Sequence, residues 1–335
     1  MLQGKVALEE HVALEALAGV GPPSASADVN DPDYLADVRQ RLGETSRRLD
    51  DMDRCGIQWM VLSLGNPGIQ AIADPTRAID TARRANDELA ERFVRVHPDR
   101  FAGLAAVPMQ DPAAAGDELE RAVRDLGLKG ALINGYSNTS LDDTETVQYL
   151  DEPPVWEFWA RAAALDVPVY LHPRDPLPSQ RRAYAGYPAL IGSAWGFGVE
   201  TASHVLRLML SGLFDRFPGL KLIVGHLGEG LPFLLPRVEH RLRHVRPESR
   251  GAAQRPLTSY LTSNLWLTTS GTFRSAALLT TLLEVGSDRV LFSVDYPYER
   301  IDEQAEWLET VPLGQAERTK IGRTNALHLL CLEAA

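Results

Sequence analysis

An apolar run that ends in two carboxylates and an imidazole lies near the start of the sequence: Lys5-Val6-Ala7-Leu8-Glu9-Glu10-His11. Such a run is typical of a buried β-strand. Alternate side chains of a strand point to the same side, so Glu9 and His11 are expected to project together, and Glu10 to the opposite face. A carboxylate and a histidine that converge at the end of a strand can hold a divalent metal. The alternative is a surface strand end without a ligand.

Short apolar runs alternate with segments of helical period along the whole chain. The predicted strands are 5–11, 59–65, 101–107, 130–135, 167–172, 221–226, 265–270 and 289–295. The predicted helices are 35–55, 75–97, 112–126, 154–165, 197–216, 232–245, 273–285, 302–311 and 315–332. Eight strands that are each followed by a helix predict an α/β fold, a (β/α)8 TIM barrel, as one domain over residues 1–335. A doubly wound open sheet is the alternative, which the absence of a glycine-rich phosphate loop after the first strand disfavours.

Two of the predicted connections are long, residues 12–34 after the first strand and residues 173–196 after the fifth. The first is rich in glycine, proline, serine and alanine, and the second contains several prolines and aromatic residues. Long ordered loops at the C-terminal ends of barrel strands are where barrel enzymes build their sites. The alternative for residues 12–34 is a disordered insertion.

The composition is that of a globular protein with a net negative charge. Hydrophobic residues make up 44% of the chain, enough for a substantial core, and the formal net charge of -11 argues against nucleic acid and anionic membranes as partners. Cys55 and Cys331 are isolated, so neither a disulfide framework nor a cysteine-rich zinc site is expected. No apolar stretch is long enough to span a bilayer, and the first strand begins almost at Met1, without room for a signal peptide. We therefore expect a cytoplasmic protein.

Three further predicted strands also end in polar residues that can bind a metal. The fifth strand ends at His172, the sixth at His226 and the eighth at Asp295. In a barrel, these ends meet Glu9 and His11 at the C-terminal rim, where active sites are built. Any one of these residues alone could be a buried histidine or a helix cap, but their shared position indicates a functional site.

Six segments carry a resemblance to a known family: GKVALEEH (4–11), YLHPR (170–174), GHLGEG (225–230), WLTTSG (266–271), LFSVDYP (291–297) and KIGRTNA (320–326). In these segments the chain resembles the metal-dependent amidohydrolase superfamily and, within it, the decarboxylase branch that acts on hydroxybenzoates. The resemblance runs along the whole chain. It implies a barrel enzyme, a carboxy-lyase with a divalent metal cofactor.

The resemblance also implies a ligand set for one metal ion: Glu9, His11, His172 and Asp295. Hydrolytic members of the superfamily more often begin with His-x-His and bridge two metals through a carboxylated lysine on the fourth strand. Here the lysine of that strand, Lys129, lies at its start, away from the rim. A single ion is therefore expected, and mixed imidazole and carboxylate ligation suits Mn2+ or Zn2+.

The resemblance implies non-oxidative decarboxylation of an ortho-hydroxybenzoate, with 2,6-dihydroxybenzoate as the first-choice substrate. The ring hydroxyl and carboxylate can chelate a metal, and a positioned acid then protonates the ring carbon that carries the carboxylate. Asp295 is the candidate acid, and the resemblance implies that His226 and Glu229 are its supporting pair. One alternative is a metal-dependent hydrolase of a lactone or amide. Another is a catalytically silent barrel that serves as a binding protein.

Four residues are predicted to contact the substrate: Arg237, Asn134, Phe197 and Tyr298. Arg237 matches an arginine that in relatives binds substrate near a subunit boundary, which predicts a homo-oligomer, a tetramer or a dimer. Its alternative is a solvated helix arginine. The loop after the first strand departs from the family pattern, because residues 21–26 contain no aromatic side chain.

Overall fold

Eight parallel strands form the centre of the computed structural model, which describes residues 2–19 and 29–332. In chain order they are β1 (Lys5–His11), β2 (Ile57–Ser63), β3 (segments Phe101–Gly103 and Ala105–Ala106), β4 (Ala131–Asn134), β5 (Val169–His172), β6 (Leu222–Val224), β7 (Leu265–Thr268) and β8 (Val290–Leu291). Each strand pairs in parallel with the next, β2 with the first segment of β3 and β4 with the second. A parallel bridge between Leu8 and Ser293 joins β1 to the residues after β8 and closes the barrel. The predicted (β/α)8 barrel is confirmed.

The helices run between successive strands and after the last one. Their bounds are Pro32–Gly43, Thr45–Cys55, Pro75–Leu89, Pro112–Arg124, Trp156–Leu165, Gly196–Leu210, Leu213–Arg216, His226–Glu229, Leu231–Leu242, Leu257–Ser263, Ser275–Val285, Ile301–Thr310, Gln315–Thr319 and Asn325–Leu329. The start of Pro112–Arg124 illustrates how the sequence sets them. The Asp111 side chain accepts a hydrogen bond from the Ala114 backbone N–H, and proline occupies the first helical position. No helix in the described part of the chain has the length and apolar composition needed to cross a bilayer.

Several predicted helices are interrupted in the structure. The predicted helix 35–55 breaks at Glu44, whose backbone is extended. The predicted helix 197–216 breaks at Gly212, which adopts a left-handed conformation (φ 81) that glycine takes without steric cost. The predicted final helix, 315–332, consists of two short helices that a wider turn connects. The sequence period did not detect the first two breaks, because one residue in each suffices to end a run of helical hydrogen bonds. The wider turn Lys320–Thr324 keeps a helical course, so the period does not distinguish it from an α-helix.

Several elements of the structure were not predicted. The helix Leu257–Ser263 and a small antiparallel hairpin between Ser137–Asn138 and Val147–Gln148 both lie outside the predicted pattern. The predicted long loop 12–34 contains a short 3-10 turn, Glu15–Leu17. Residues 20–28 of this loop, which include the segment 21–26 that lacks aromatic side chains, lie outside the described residues.

Alternating residues of the strands divide the core into two layers. One set, with Val6, Leu8 and Val61, fills the barrel and meets Leu329 and Leu330 near the C-terminus. The other set, which includes Ala7 and Met60, packs against the surrounding helices. The predicted strand 289–295 ends already at Leu291, so Asp295 lies in the segment after β8. Because the strands are parallel, this segment and the polar ends of β1 and β5 lie at the same rim.

Candidate metal centre and catalytic cavity

Four of the predicted site residues converge at the C-terminal rim of the barrel. One ligand atom each of Glu9, His11 and His172 lies within 4.8 Å of the others. His172 Nε2 lies 3.5 Å from Glu9 Oε1, and His11 Nε2 lies 3.3 Å from Asp295 Oδ1. Two atoms that each lie about 2.1 Å from one ion are about 3.0–3.6 Å apart at bond angles of about 90–120°. The spacing therefore suits ligands that share an ion.

Three of the atoms that face one another in this cluster lack a hydrogen-bond partner. Glu9 Oε1, His11 Nε2 and Asp295 Oδ1 are buried and have no hydrogen-bond partner among the described residues. Leaving a buried polar atom unpaired costs about 1–3 kcal/mol, and more when it is charged. A divalent cation would satisfy all three atoms at once. The residues present thus fit a divalent metal of the Mn2+ or Zn2+ type.

The carboxylate of Glu9 is held in place by its second oxygen. Tyr170 and Ser270 donate short hydrogen bonds to Glu9 Oε2. The carboxylate also lies close to Gly225, where a Cβ atom would be 2.9 Å from Oε2 and 3.1 Å from Oε1. One oxygen is therefore anchored while the other, Oε1, faces the histidines.

The His172 ring is oriented by its own backbone neighbour. The Nδ1 atom lies 2.9 Å from the Pro173 carbonyl oxygen, which can only accept a hydrogen bond. The proton therefore resides on Nδ1, and the lone pair of Nε2 is directed to the cluster. A hydrogen bond of this kind fixes the tautomer of histidine ligands in metal sites.

His226 and Glu229 form a pair beside Asp295. His226 Nδ1 lies 2.7 Å from Glu229 Oε1, and His226 Nε2 lies 3.8 Å from Asp295 Oδ2. Because a carboxylate only accepts, Nδ1 donates to Glu229, and Nε2 faces Asp295. Ser270 Oγ accepts a hydrogen bond from the His226 backbone N–H, which links this pair to the Glu9 anchor.

The backbone is unusual at these positions. Seven residues other than glycine have a positive φ in the described part of the chain, and four of them are predicted site residues: Glu9, His226, Glu229 and Asp295. Such a conformation costs about 1–2 kcal/mol and is concentrated at functional sites. The positive φ of Glu9 coincides with a register shift in β1 between Ala7 and Glu10. Glu9 and His11 therefore converge as predicted, but on a strand that is not regular.

Burial and neighbouring charges shift the pKa values of the site residues in opposite directions. Burial raises the pKa of Glu9, whereas for Asp295 the neighbouring imidazoles of His11 and His226 outweigh burial and hold the pKa below its usual range. Burial and the charge of His11 lower the pKa of His172 well below its usual range. Burial disfavours charged His226, but the negative charges of Glu229 and Glu9 raise its pKa well above the ordinary value. An ionised Asp295 and a neutral His172 are the forms that bind metals.

A cavity of ≈ 220 Å³ opens beside the cluster. His172, His226, Glu229 and Asp295 line its polar side. Pockets for drug-sized ligands have volumes of about 300–1,000 Å³. The cavity is smaller than this, which favours a small substrate.

Two of the four predicted substrate contacts, Phe197 and Tyr298, line this cavity. Asn134 does not, because its buried side chain lies against the turn at Gly68, where a Cβ atom would be 2.4 Å from Asn134 Nδ2. Arg237 is exposed on the helix Leu231–Leu242 and does not line the cavity of its own chain.

Comparison with known proteins shows the family to which the chain belongs. Residues 23–332 match the sequence profile of the amidohydrolase family. The chain belongs to this family. It is 49% identical, over 99% of both chains, to a γ-resorcylate decarboxylase of Polaromonas sp.. The family predicted from the sequence motifs is confirmed.

Two solved structures have the same fold as this amidohydrolase chain. One is a dihydroxybenzoic acid decarboxylase of Polaromonas sp. with bound manganese and the inhibitor 2-nitroresorcinol (TM-score 0.92, 48% identity, 100% of this chain and 98% of that chain). The other is a 2,6-dihydroxybenzoate decarboxylase in complex with 2,6-dihydroxybenzoate (TM-score 0.93, 48% identity, 99% of this chain and 100% of that chain).

The sequence interpretation did not identify several residues of the site. Tyr170 precedes His172 by two positions on β5, so strand alternation could have placed it inside the barrel near the metal cluster. Tyr34 and Asn66 also line the cavity, and Tyr34 donates a hydrogen bond to the Tyr298 carbonyl oxygen (3.0 Å). Nothing in the local sequence of these two residues indicates this position, because it depends on how distant loops meet.

Proposed function

We propose that this amidohydrolase chain is a metal-dependent carboxy-lyase that removes CO2 from an ortho-hydroxybenzoate. The first-choice substrate is 2,6-dihydroxybenzoate, which gives resorcinol and CO2 in a reversible reaction. The observation that carries the proposal is that Asp295 belongs to both parts of the site. Its Oδ1 faces the unsatisfied ligand atoms, and its Oδ2 faces the His226–Glu229 pair at the cavity. The similarity to γ-resorcylate decarboxylases over nearly the whole chain supports it.

Glu9, His11, His172 and Asp295 would hold one divalent ion. When bound, the ion supplies positive charge that orients and stabilises negatively charged oxygen groups of the substrate. The wall that includes Phe197 and Tyr298 accommodates the aromatic ring.

Asp295 moves the proton. Because its pKa lies below the usual range, Asp295 is ionised at rest and first takes a proton, from the substrate hydroxyl, at Oδ2. It then protonates the ring carbon that carries the carboxylate. When the bond to the carboxylate breaks, its electron pair returns to the ring, aromaticity is restored and CO2 leaves. The hydroxyl oxygen that gave up its proton takes one from solvent as resorcinol is released. His226, held by Glu229, keeps Oδ2 in position throughout.

The substrate is tested with the purified protein supplied with Mn2+ or Zn2+ and offered a series of mono- and dihydroxybenzoates. We expect loss of aromatic-acid absorbance and release of CO2, fastest with 2,6-dihydroxybenzoate and absent for isomers without an ortho hydroxyl. Lactones and amides are tested in parallel. Hydrolysis of one of these without CO2 release from any hydroxybenzoate would contradict the proposal and favour the hydrolase. A protein without bound metal or activity would favour the binding protein.

We also propose that the chain is a homo-oligomer, a tetramer or a dimer, in which Arg237 reaches a neighbouring cavity. Phe233 and Leu234 are 76% and 47% exposed on the same helix as Arg237, and exposed apolar side chains of this size favour a protein contact. We expect sedimentation at micromolar concentration to give a dimer or tetramer, and Phe233→Glu to give smaller species. Leu141→Glu, at a residue that is 79% exposed elsewhere, is the control. A monomeric unmodified chain would exclude the role of Arg237.

We propose one domain over residues 1–335, and a cytoplasmic location. Both cysteines are free, Cys55 buried and Cys331 exposed, as is usual for proteins of a reducing compartment.

A further inference from the structure

Glu10 lies between two proposed metal ligands, yet its side chain serves neither the cavity nor the metal cluster. It is fully buried and points to the segment that carries Asp295. Glu10 Oε1 accepts a hydrogen bond from the Val294 backbone N–H (2.9 Å), and Oε2 accepts one from the Tyr296 backbone N–H (3.0 Å). A single carboxylate thus binds the backbone N–H groups of the two residues that flank Asp295.

This arrangement bears directly on the conformation of Asp295. Its φ of 75 lies in the left-handed region, which is unfavourable for a residue with a Cβ atom. A further bond, from the His11 backbone N–H to the Tyr296 carbonyl oxygen (2.7 Å), ties the same segment to β1. Without the Glu10 acceptor, two buried N–H groups would lose their partners, and the segment could relax towards an ordinary backbone conformation.

The contacts require an acceptor at both oxygens. Glutamine has nearly the same shape as glutamate, but its NH2 group only donates hydrogen bonds. In Glu10→Gln this NH2 group would therefore face one of the two backbone N–H donors, which would lose its acceptor. Aspartate keeps both oxygens, but its shorter side chain does not reach both peptide groups at once.

We propose that Glu10 is a positioning residue, which acts through the backbone of Asp295 and sets its carboxylate between His11 and His226. The activity part of this inference rests on the proposed function. The contribution to metal binding does not, because it follows from the place of Asp295 in the ligand cluster.

The test is a double-mutant cycle with Glu10→Gln and Asp295→Asn, read out as Mn2+ affinity by electron paramagnetic resonance and as kcat and KM. In the wild-type background we expect Glu10→Gln to lower Mn2+ affinity and kcat by about 10–100-fold, as for outer partners of metal ligands, with little change in KM. In the Asp295→Asn background the further loss of affinity should be below about twofold, since residues that act through one another are not additive.

Glu118→Gln is the matched control. Glu118 is also a buried carboxylate (3% exposed), but it bonds Asn86 and Arg121 on the helical layer. This variant should leave the Mn2+ affinity unchanged. If Glu10→Gln does not fold, Glu10→Asp takes its place in the cycle, with circular dichroism to verify folding.

Unchanged Mn2+ affinity in the Glu10 variant, or equal losses in both backgrounds, would overturn the inference. The affinity cycle needs no substrate. A wild-type protein that binds Mn2+ without decarboxylating hydroxybenzoates would therefore contradict the proposed function and leave the role of Glu10 to be decided by the cycle.

Discussion

His11→Ala is expected to lose bound metal and decarboxylase activity together. His11 Nε2 is buried without a hydrogen-bond partner among the described residues and faces Asp295 Oδ1 at 3.3 Å. Loss of a residue that hydrogen-bonds to a metal ligand typically lowers metal affinity by about 10–100-fold. His11→Ala removes a ligand itself, so its loss of metal affinity should be larger. Metal content and CO2 release, measured on the same preparation, test this.

His97→Ala provides the control for His11→Ala. His97 is a half-buried histidine that packs against Phe101 at the start of β3, away from the rim. This variant should keep both its metal and its activity. Full metal occupancy and full activity in His11→Ala would exclude the ligand assignment.

Asp295→Asn is expected to lose catalysis by several orders of magnitude. General acid catalysis is typically worth about 10²–10⁴-fold, and the amide cannot take up and deliver the proton as the carboxylate does. The amide oxygen remains a possible ligand, so metal is expected to bind more weakly but still to bind. Steady-state rates at saturating Mn2+ separate the two effects.

His226→Asn is the informative comparison for Asp295→Asn. His226 contacts Asp295 Oδ2 from 3.8 Å and is proposed to position the proton, so its loss should cost less. Substantial turnover by metal-loaded Asp295→Asn would move the role of acid to His226 and leave Asp295 as a ligand only.

The ligand cluster could be predicted from the sequence because it depends on a simple feature of barrels. Parallel strands of one barrel end at the same rim, so His172 and Asp295, which are distant in the chain, meet Glu9 and His11 there. The strand ends predicted that these residues converge, and the choice of Glu9, His11, His172 and Asp295 as ligands came from the resemblance to the family. The irregular backbone at Glu9, which allows the carboxylate to reach this position, was not visible in the alternation of the strand.

The cavity walls were harder to predict, for a physical reason. They come from loops whose mutual position depends on tertiary contacts and not on local propensity. Tyr34, for example, reaches the Tyr298 carbonyl oxygen across 264 residues of sequence. Asn134 ends its strand beside His172 in register, yet its side chain packs under a neighbouring turn.

Glu10 shows a second limit of the sequence interpretation. The period of the strand predicted that Glu10 points away from Glu9 and His11, which suggested no role for it. In the structure its carboxylate accepts hydrogen bonds from the backbone N–H groups of Val294 and Tyr296, the two neighbours of Asp295, at 2.9 and 3.0 Å. That contact joins the first strand to the segment after the last strand. The alternation of side chains along a single strand does not predict such a contact.

Turnover of 2,6-dihydroxybenzoate in D2O, followed by proton nuclear magnetic resonance with Mn2+ supplied, tests the central claim most directly. The account predicts resorcinol that carries one deuterium at the carbon from which the carboxylate left, because the proton that Asp295 delivers exchanges with solvent. Removal of the metal by a chelator should stop the reaction. Undiminished turnover after metal removal, or no deuterium at that carbon in the resorcinol formed, would contradict the account.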